Sequence, residues 1–420
     1  MTAGQAARLI TWIICATATA GVIIRPFRWP EAIWAVAGAI VLVAAGLLPI
    51  AQAWAAIFKG ADVYLFLAGM MLLSEVAREE GLFDWVAAFA VNHAAGSPRR
   101  LFVLVYVAGT VITALLSNDA TAVVLTPAVY AAAKAARAEP LPHLFVCALI
   151  ANAASFLLPI SNPANIVLYG DHTPPLGPWL AAFLLPSAAS ITVTFVALRL
   201  AERKALAGEC ARHVEAPPMT TGAWTAVVGI SLTAVVLLTA SALGQRLGPP
   251  TFAMGAVTAT IVWVRARSQP LRTLRGVSWQ VLFLVAGLFV LVQALETTGV
   301  TGHIASVLSR ASRVSASQIA GIAGAIMGVV CNLTNNLPAG LVAASALRQA
   351  RPPQVVTDAL LIGVDLGPNF SVTGSLATIL WLTAIRREGE SVGFFRFLRI
   401  GVAVTPPALA VALAARLLLG

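Results

Sequence analysis

The chain has 420 residues, of which 59% are hydrophobic and only 10% are charged. Soluble domains are roughly 45–50% apolar and about 25% charged, so no water-soluble fold could cover this much apolar surface. The composition therefore predicts an all-α polytopic membrane protein and not an enzyme, and the formal charge of +10 indicates Lys and Arg in cytoplasmic loops rather than nucleic-acid binding.

Ten charge-poor stretches are long enough to cross a bilayer once each, which takes about 20 apolar residues. In chain order they are residues 9–24, 32–58, 63–77, 140–170, 173–198, 223–243, 251–264, 277–295, 357–385 and 397–418. The polar residues 201–220 separate the first five from the last five and are expected to form a cytoplasmic linker.

Two further segments are too long for one crossing. Residues 314–347 carry no charge, and residues 101–133 carry only Asp119; a single helix over the former would be about 50 Å long. Each has a polar tip at its middle, namely Ser117-Asn118-Asp119-Ala120-Thr121 and Thr334-Asn335-Asn336-Leu337-Pro338. These features predict re-entrant helical hairpins, since irregular backbone at that depth must be buried or line a cavity.

The distribution of Lys and Arg supports this topology. With both hairpins re-entrant and the N-terminus outside, most of the 27 Lys and Arg residues lie in inside loops, whereas full crossings would divide them almost evenly. We therefore expect a multi-pass protein of the inner (plasma) membrane with both termini outside.

The two halves of the chain match each other. One constant offset aligns residues 66–69 with 284–287 and Asn118 with Asn336. The sequence predicts a first repeat over residues 1–200 (hairpin 101–133) and a second over residues 221–420 (hairpin 314–347). Because each repeat has five crossings, the second would be inverted, which is typical of secondary transporters with broken helices at the midplane.

Four polar clusters are expected to meet near that midplane: the two tips and two helix interruptions, residues 159–165 and 365–375. Gly and Pro break the helices there, and Asn, Ser and Thr can donate and accept hydrogen bonds without charge. The candidate substrate-binding residues are Ser117, Asn118, Thr121, Asn162, Asn165, Asn335, Asn336, Asn369, Thr373 and Ser375. The clusters contain no Lys or Arg, so they suit a neutral hydroxylated solute, or a cation held by carbonyl oxygens, better than a dicarboxylate.

Two carboxylates are candidates for proton coupling. Asp119 is predicted to lie deep in the membrane, where an ionised side chain costs several kcal/mol. A carboxylate kept at such a cost is a functional hypothesis by default. It could equally cap the second helix of its hairpin. Asp365 is the second candidate.

Cofactor, metal and catalytic sites are not expected. The four cysteines, Cys15, Cys147, Cys210 and Cys331, show neither a disulfide framework nor a metal-binding spacing. No phosphate-binding loop of the P-loop type occurs. The driving force is therefore expected from an ion gradient or from a partner subunit.

At these clusters the sequence resembles the arsenite/antimonite efflux permeases of the ion transporter superfamily. The resemblance rests on the two tips and on three further motifs, Leu125-Thr126-Pro127, Ser161-Asn162-Pro163-Ala164-Asn165, and Asp365-Leu366-Gly367-Pro368-Asn369 with Thr373-Gly374-Ser375-Leu376-Ala377-Thr378. The dicarboxylate carriers of the superfamily have Ser-Asn-Thr at both tips, and neither tip here does.

The resemblance implies export of trivalent arsenic or antimony as neutral hydroxides, driven by proton influx. It also implies, for some members, association with a soluble arsenite-stimulated ATPase, and an elevator movement of transport parts against a scaffold. A sodium/proton antiporter, or another ion-coupled small-solute carrier of the superfamily, would use the same clusters and stays open as the alternative.

Overall fold

A computed structural model describes residues 2–419, and no β-strand occurs among them. The helices of the first half are α1 Ala3–Ile24, α2 Glu31–Ala44, α3 Ile50–Lys59, α4 Ala61–Glu79, α5 Leu82–His93, α6 Pro98–Leu115, α7 Thr126–Ala135, α8 Pro140–Ala153, α9 Pro163–Tyr169 and α10 Leu176–Ala201. Those of the second half are α11 Thr221–Ala242, α12 Gly248–Ala266, α13 Pro270–Gly276, α14 Gln280–Thr297, α15 Val300–Val314, α16 Ala316–Thr334, α17 Asn336–Ala350, α18 Gln354–Leu366, α19 Leu376–Arg387 and α20 Phe394–Leu418.

Both overlong segments turn where the polar tips lie. The first hairpin consists of α6 and, after the turn at residues 116–117, a second arm that runs through a π-helical stretch, Ala120–Leu125, into α7. The second consists of α16 and α17, which meet at Asn335. The helices expected over residues 140–170 and 357–385 are interrupted at residues 154–162 and 367–375, and the second break begins with a 3-10 turn, Gly367–Phe370.

One expected span is wrong. Residues 32–58 do not form one helix but two, α2 and α3, separated at residues 45–49. Gly46 adopts a left-handed φ of 69° and Pro49 starts the next helix. Glycine favours that backbone conformation. Proline has no backbone N–H, so it cannot donate the hydrogen bond that would continue the preceding helix.

Seven of the described helices are long and apolar enough to cross a membrane, or eight if α3 and α4, bent by 48°, form one span. The seven include α6 and α16, the first arms of the hairpins. The interrupted helices fall short because neither half of each reaches the required length. The expected ten crossings and two re-entrant hairpins therefore stay a prediction.

The helices pack as two groups, which we name the scaffold group and the transport group after the elevator movement that the resemblance implies. The transport group contains both hairpins and the interrupted helices, α8–α9 and α18–α19. In the scaffold group, α2 of the first half packs on α14, and α12 of the second half packs on α4. In the transport group, α10 packs on α20, while α8 and α18 pack on the first arms of their hairpins, α6 and α16. The same pairs recur with the two halves exchanged. The inversion of the halves across a bilayer stays a prediction.

Candidate functional site

Each hairpin tip is hydrogen-bonded to the interrupted helix of its own half. The backbone N–H of Asn118 donates to the carbonyl oxygen of Ser161 at 3.1 Å, and that of Asn336 donates to the carbonyl oxygen of Gly374 at 2.9 Å. A Cβ at Gly374 would come within 2.5 Å of the Cα of Pro368, so only glycine fits this close backbone approach. Each bond thus holds a tip against the interrupted helix of its own half, and the Asn162 amide, which donates to Asp365 at 2.9 Å, connects the two halves.

A small cavity of about 10 Å³ lies where they meet, and we call it the tip cavity. That volume is close to what one water molecule needs. Its polar lining residues are Asn118, Asp119, Asn162, Asn336 and Ser375, and its apolar ones are Leu67, Pro163, Val281, Leu337, Leu376 and Ala377. Leu67 belongs to α4 and Val281 to α14, so the cavity lies between the scaffold group and the transport group.

The first tip is organised by its own side chains. The Ser117 hydroxyl accepts from the N–H of Ala120 at 3.2 Å, and the Asn118 side-chain oxygen accepts from the N–H of Asp119 at 2.9 Å. Asp119 makes no capping hydrogen bond. The capping role that Asp119 could have taken therefore falls to Ser117, which leaves the Asp119 carboxylate free to face the tip cavity.

The second tip is built differently. Asn335 has a left-handed φ of 71° and its side-chain oxygen accepts from the N–H of Leu337 at 3.3 Å. A non-glycine residue in that region is strained, and such strain concentrates at functional sites. The side-chain oxygen of the neighbouring Asn336 is buried without a hydrogen-bond partner. An unsatisfied buried acceptor is costly unless a ligand or water donates to it.

Asp365 joins the two interrupted helices. Its carboxylate accepts from the Ser155 hydroxyl at 2.7 Å and from the Asn162 amide at 2.9 Å. The oxygen of Asn162 in turn accepts from the N–H of Ala164 at 3.0 Å. Asn162 is thus held at both ends of its amide, with Asp365 directly behind the tip cavity.

Six of the predicted substrate-binding residues, Ser117 described above and five others, do not line the tip cavity but stabilise the backbone around it. Thr121 shares a hydrogen bond of 2.8 Å with Thr113. The Asn165 amide donates to the carbonyl of Ser155 at 3.0 Å. Asn335 caps α17, Asn369 bonds Asn152 at 2.9 Å, and the Thr373 hydroxyl donates to the carbonyl of Asn332 at 3.1 Å.

Sequence reasoning missed several polar residues that hold this region. Ser155 and Asn152 lie on the N-terminal side of the predicted interruption, and Asn332 lies two residues before the second tip. The amide of Asn332 donates to the carbonyl of Gly367 at 2.9 Å, and its oxygen accepts from the Ser371 hydroxyl at 2.8 Å. The signal that could have found them was their polarity inside apolar stretches.

A much larger cavity lies elsewhere and has a different chemistry. It has about 940 Å³ and is lined mainly by apolar side chains of α1 and α15–α17, among them Cys15, Ile326 and Val342. It includes Thr334 of the second tip but no other polar tip residue. Its surface is suited to hydrocarbon rather than to a hydroxylated solute.

The described residues contain no group of three or more His, Cys, Asp or Glu side chains that could hold a metal ion. Their four cysteines are all free. Cys210, in the linker, is the only one of these outside the helices, and burial raises the pKa of its thiol. Because the thiolate is the form that binds soft metals and metalloids, this environment disfavours such binding.

Known proteins match the chain over most of its length. The family profile described as "Citrate transporter" (CitMHS) matches residues 10–364. An arsenical pump membrane protein of Escherichia coli is 26% identical over 400 residues, covering 90% of this chain and 91% of that protein. The one from strain K12 is 28% identical over 365 residues, covering 82% and 83%. The resemblance drawn from the motifs is thereby confirmed.

Two further relatives bear on fold and transport. An uncharacterized transporter of Mycobacterium tuberculosis is 28% identical over 375 residues, covering 84% of both chains. The crystal structure of the YdaH transporter of Alcanivorax borkumensis, described as having an unusual topology, superimposes with a TM-score of 0.52 at 16% identity, covering 88% of this chain and 86% of that one. At this identity the structural likeness concerns the fold alone.

Proposed function

Since the chain belongs to the citrate transporter family, we propose that this membrane transporter exports trivalent arsenic or antimony as neutral hydroxides in exchange for protons. The observation that carries the proposal is the tip cavity, at which Asn118 and Asn336 converge from the two hairpins. The arsenical pump membrane proteins named above supply the substrate class.

The chemistry of the tip cavity fits a neutral hydroxide. An arsenite or antimonite hydroxide both donates and accepts hydrogen bonds, as do Asn and Ser side chains. The partnerless oxygen of Asn336 is an acceptor that a substrate hydroxyl would satisfy. At about 10 Å³ the cavity must widen to admit such a molecule, as an alternating-access cycle requires.

Citrate fits the same cavity poorly, in spite of the family description. None of the residues that line the cavity in the described chain is Lys or Arg, and Asp119 adds a carboxylate to it. A tricarboxylate would therefore enter a site of low dielectric without a counter-charge, which is strongly unfavourable. The cavity thus supports an uncharged cargo.

Proton coupling is assigned to Asp119, with Asp365 as the second candidate. Both lie at the cavity or directly behind it, so the protonation of either carboxylate can alter the binding of a substrate hydroxyl. If a proton and the neutral arsenic or antimony hydroxide compete for the same tip, inward proton flow can drive outward transport of the metalloid. The described geometry gives Asp119 the more direct access, since Asp365 is already hydrogen-bonded to Ser155 and Asn162.

The deciding experiment is metalloid uptake into everted membrane vesicles. Uptake of arsenite or antimonite should follow an imposed proton gradient and collapse with an uncoupler. Sodium replacing protons as the driving ion would favour the sodium-coupled alternative, and dependence on added ATP and cytosol would indicate a soluble ATPase partner. Citrate serves as the matched control solute and should not be accumulated.

A further inference from the structure

A second polar cavity lies close to the tip cavity. It has about 330 Å³ and is lined by residues near the ends of several helices and in the segments between them, including Lys59, Asp62, His172, Arg246, Glu296 and Arg348. We call it the outer vestibule, because its three cations are among the few Lys and Arg residues that the charge distribution places outside. Lys59 donates to Gln293 at 2.8 Å and Arg348 pairs with Glu296 at 3.0 Å.

The two cavities share three walls. On α4, Val63 lines the outer vestibule and Leu67 the tip cavity; on α17, Leu341 lines the vestibule and Leu337 the tip cavity. Four residues of helix correspond to about 6 Å. On α9, Ile166 lines the vestibule and Pro163 the tip cavity. The cavities are therefore about one helical turn apart along all three helices.

The material between them is apolar and closely packed. Val63, Ile166 and Leu341 are 4%, 3% and 4% exposed, and all three belong to one continuous hydrophobic core. The α4 wall belongs to the scaffold group, whereas α9 and α17 belong to the transport group and pack on each other. A small sliding of one group against the other would open or close this layer.

We propose that the outer vestibule is the release path of the cargo and that Val63, Ile166 and Leu341 form a one-turn apolar gate above the tip cavity. The structure is then an outward-facing state with a closed gate. The inference rests on the proposed function for the identity of the cargo, but the path and the gate can be tested without any transport.

The test uses single cysteines in a protein whose four native cysteines are replaced by alanine or serine. A charged, membrane-impermeant thiol reagent is added to the outside of intact cells expressing Leu341→Cys or Val63→Cys. The matched control is Val342→Cys, the next residue of α17, which lines the apolar cavity of α1 and α15–α17 instead. A charged reagent enters hydrocarbon at a cost of several kcal/mol, so the control should react about tenfold or more slowly.

The gate itself is tested one turn deeper. The Leu337→Cys variant should react slowly from outside, and adding Leu341→Ala should accelerate the reaction about tenfold or more, because the apolar layer that excludes the charged reagent is removed. Adding Val342→Ala should leave the rate unchanged. Each variant, purified in detergent from a separate portion of the same cells, is required to elute as a single species in size-exclusion chromatography.

Three results would overturn the inference. Equal rates for Leu341→Cys and Val342→Cys would mean that no aqueous path reaches α17. Labelling only in everted vesicles would place the vestibule on the cytoplasmic side. An unchanged rate for Leu337→Cys in the Leu341→Ala background would remove the gate. Labelling as expected in a protein that moves no metalloid would instead contradict the proposed function and leave the path standing.

Discussion

Asp119 and Asp365 are two carboxylates at one site with different surroundings. Asp365 is fully buried and accepts hydrogen bonds from Ser155 and Asn162. The Asp119 side chain is only partly buried and, within residues 2–419, forms no hydrogen bond or ion pair. A carboxylate without fixed partners can gain and lose a proton without disturbing the fold, so titration suits Asp119 and a holding role suits Asp365.

The Asp119→Asn variant should separate binding from coupling. Asparagine keeps the size of the side chain and an acceptor oxygen but cannot titrate. We expect passive counterflow of arsenite to continue while accumulation against a gradient is lost, measured in everted vesicles with and without an uncoupler. Uncoupler-sensitive accumulation that persists would move the proton to Asp365, for which Asp365→Asn is the next variant.

Replacing Asn336 by alanine should weaken substrate binding. The change removes the donor and the acceptor of an amide that faces the tip cavity, and each unsatisfied partner costs about 1–3 kcal/mol, which corresponds to about tenfold or more in affinity. The readout is the concentration dependence of arsenite uptake in vesicles. Asn118→Ala should weaken binding as well.

The matched control for both is Asn92→Ala, because Asn92 holds the linker at Val214 through bonds of 2.8 and 3.1 Å and is remote from the tip cavity. Its affinity for arsenite should stay at the wild-type value. Wild-type affinity in Asn118→Ala and Asn336→Ala would contradict the shared site.

At the scale of helices, one buried ion pair connects three elements of the transport group. Arg416 on α20 pairs with Asp358 on α18 at 2.7 Å, and the Tyr169 hydroxyl at the end of α9 donates to the same carboxylate at 2.5 Å. Asp358 is 0% and Arg416 is 5% exposed. The pair thereby fixes α9, whose other end lines the tip cavity, against helices of the second half.

The Arg416→Met variant should be strongly destabilised. Removing one partner of a buried pair leaves an uncompensated charge, which typically costs about 3–5 kcal/mol. The double variant Asp358→Asn with Arg416→Met should recover most of the loss, since asparagine can still accept from Tyr169. The measurement is the apparent melting temperature of purified protein in detergent. A single variant as stable as the wild type would show that the pair does not hold these helices together.

Across the whole molecule, the cysteines are not arranged to bind an arsenite or antimonite molecule together through their thiolates. None of them lines the tip cavity, and no cluster of three metal ligands occurs in the described chain. A cysteine-free protein should therefore still transport arsenite, as measured by resistance of cells and by vesicle uptake. Complete loss of transport in a stable cysteine-free protein would point to thiolate coordination, with Cys331 tested first because it is buried near the second tip.

The predicted orientation of the whole chain can also be measured. With both termini outside and residues 201–220 inside, alkaline phosphatase fused to the C-terminus should be active, because the enzyme requires the oxidising outer compartment. A fusion truncated within the linker should be inactive. The reverse pattern would invert the topology and with it the assignment of the vestibule to the outer face.

The sequence by itself determined the class of the protein, the helix breaks at the polar clusters and the residues that could form the site. These are local properties: apolar length sets the helices, while Gly, Pro and short polar runs set the breaks at Asn118, Asn335 and Pro163. The break within residues 32–58 was missed because Gly46 and Pro49 lie in an otherwise continuous apolar stretch.

Only the tertiary structure decided which polar side chains line the tip cavity. Asn162 and Asn165 lie three residues apart in the chain, yet Asn162 reaches the cavity and Asn165 binds the carbonyls of its own break. Ser155 donates a hydrogen bond to Asp365, and Asp358 accepts one from Arg416. The partners in each pair are distant in sequence, so neither contact could be predicted from the sequence. The direction of a side chain depends on how its helix is rotated against its neighbours, and that rotation is fixed by packing between the two halves of the chain.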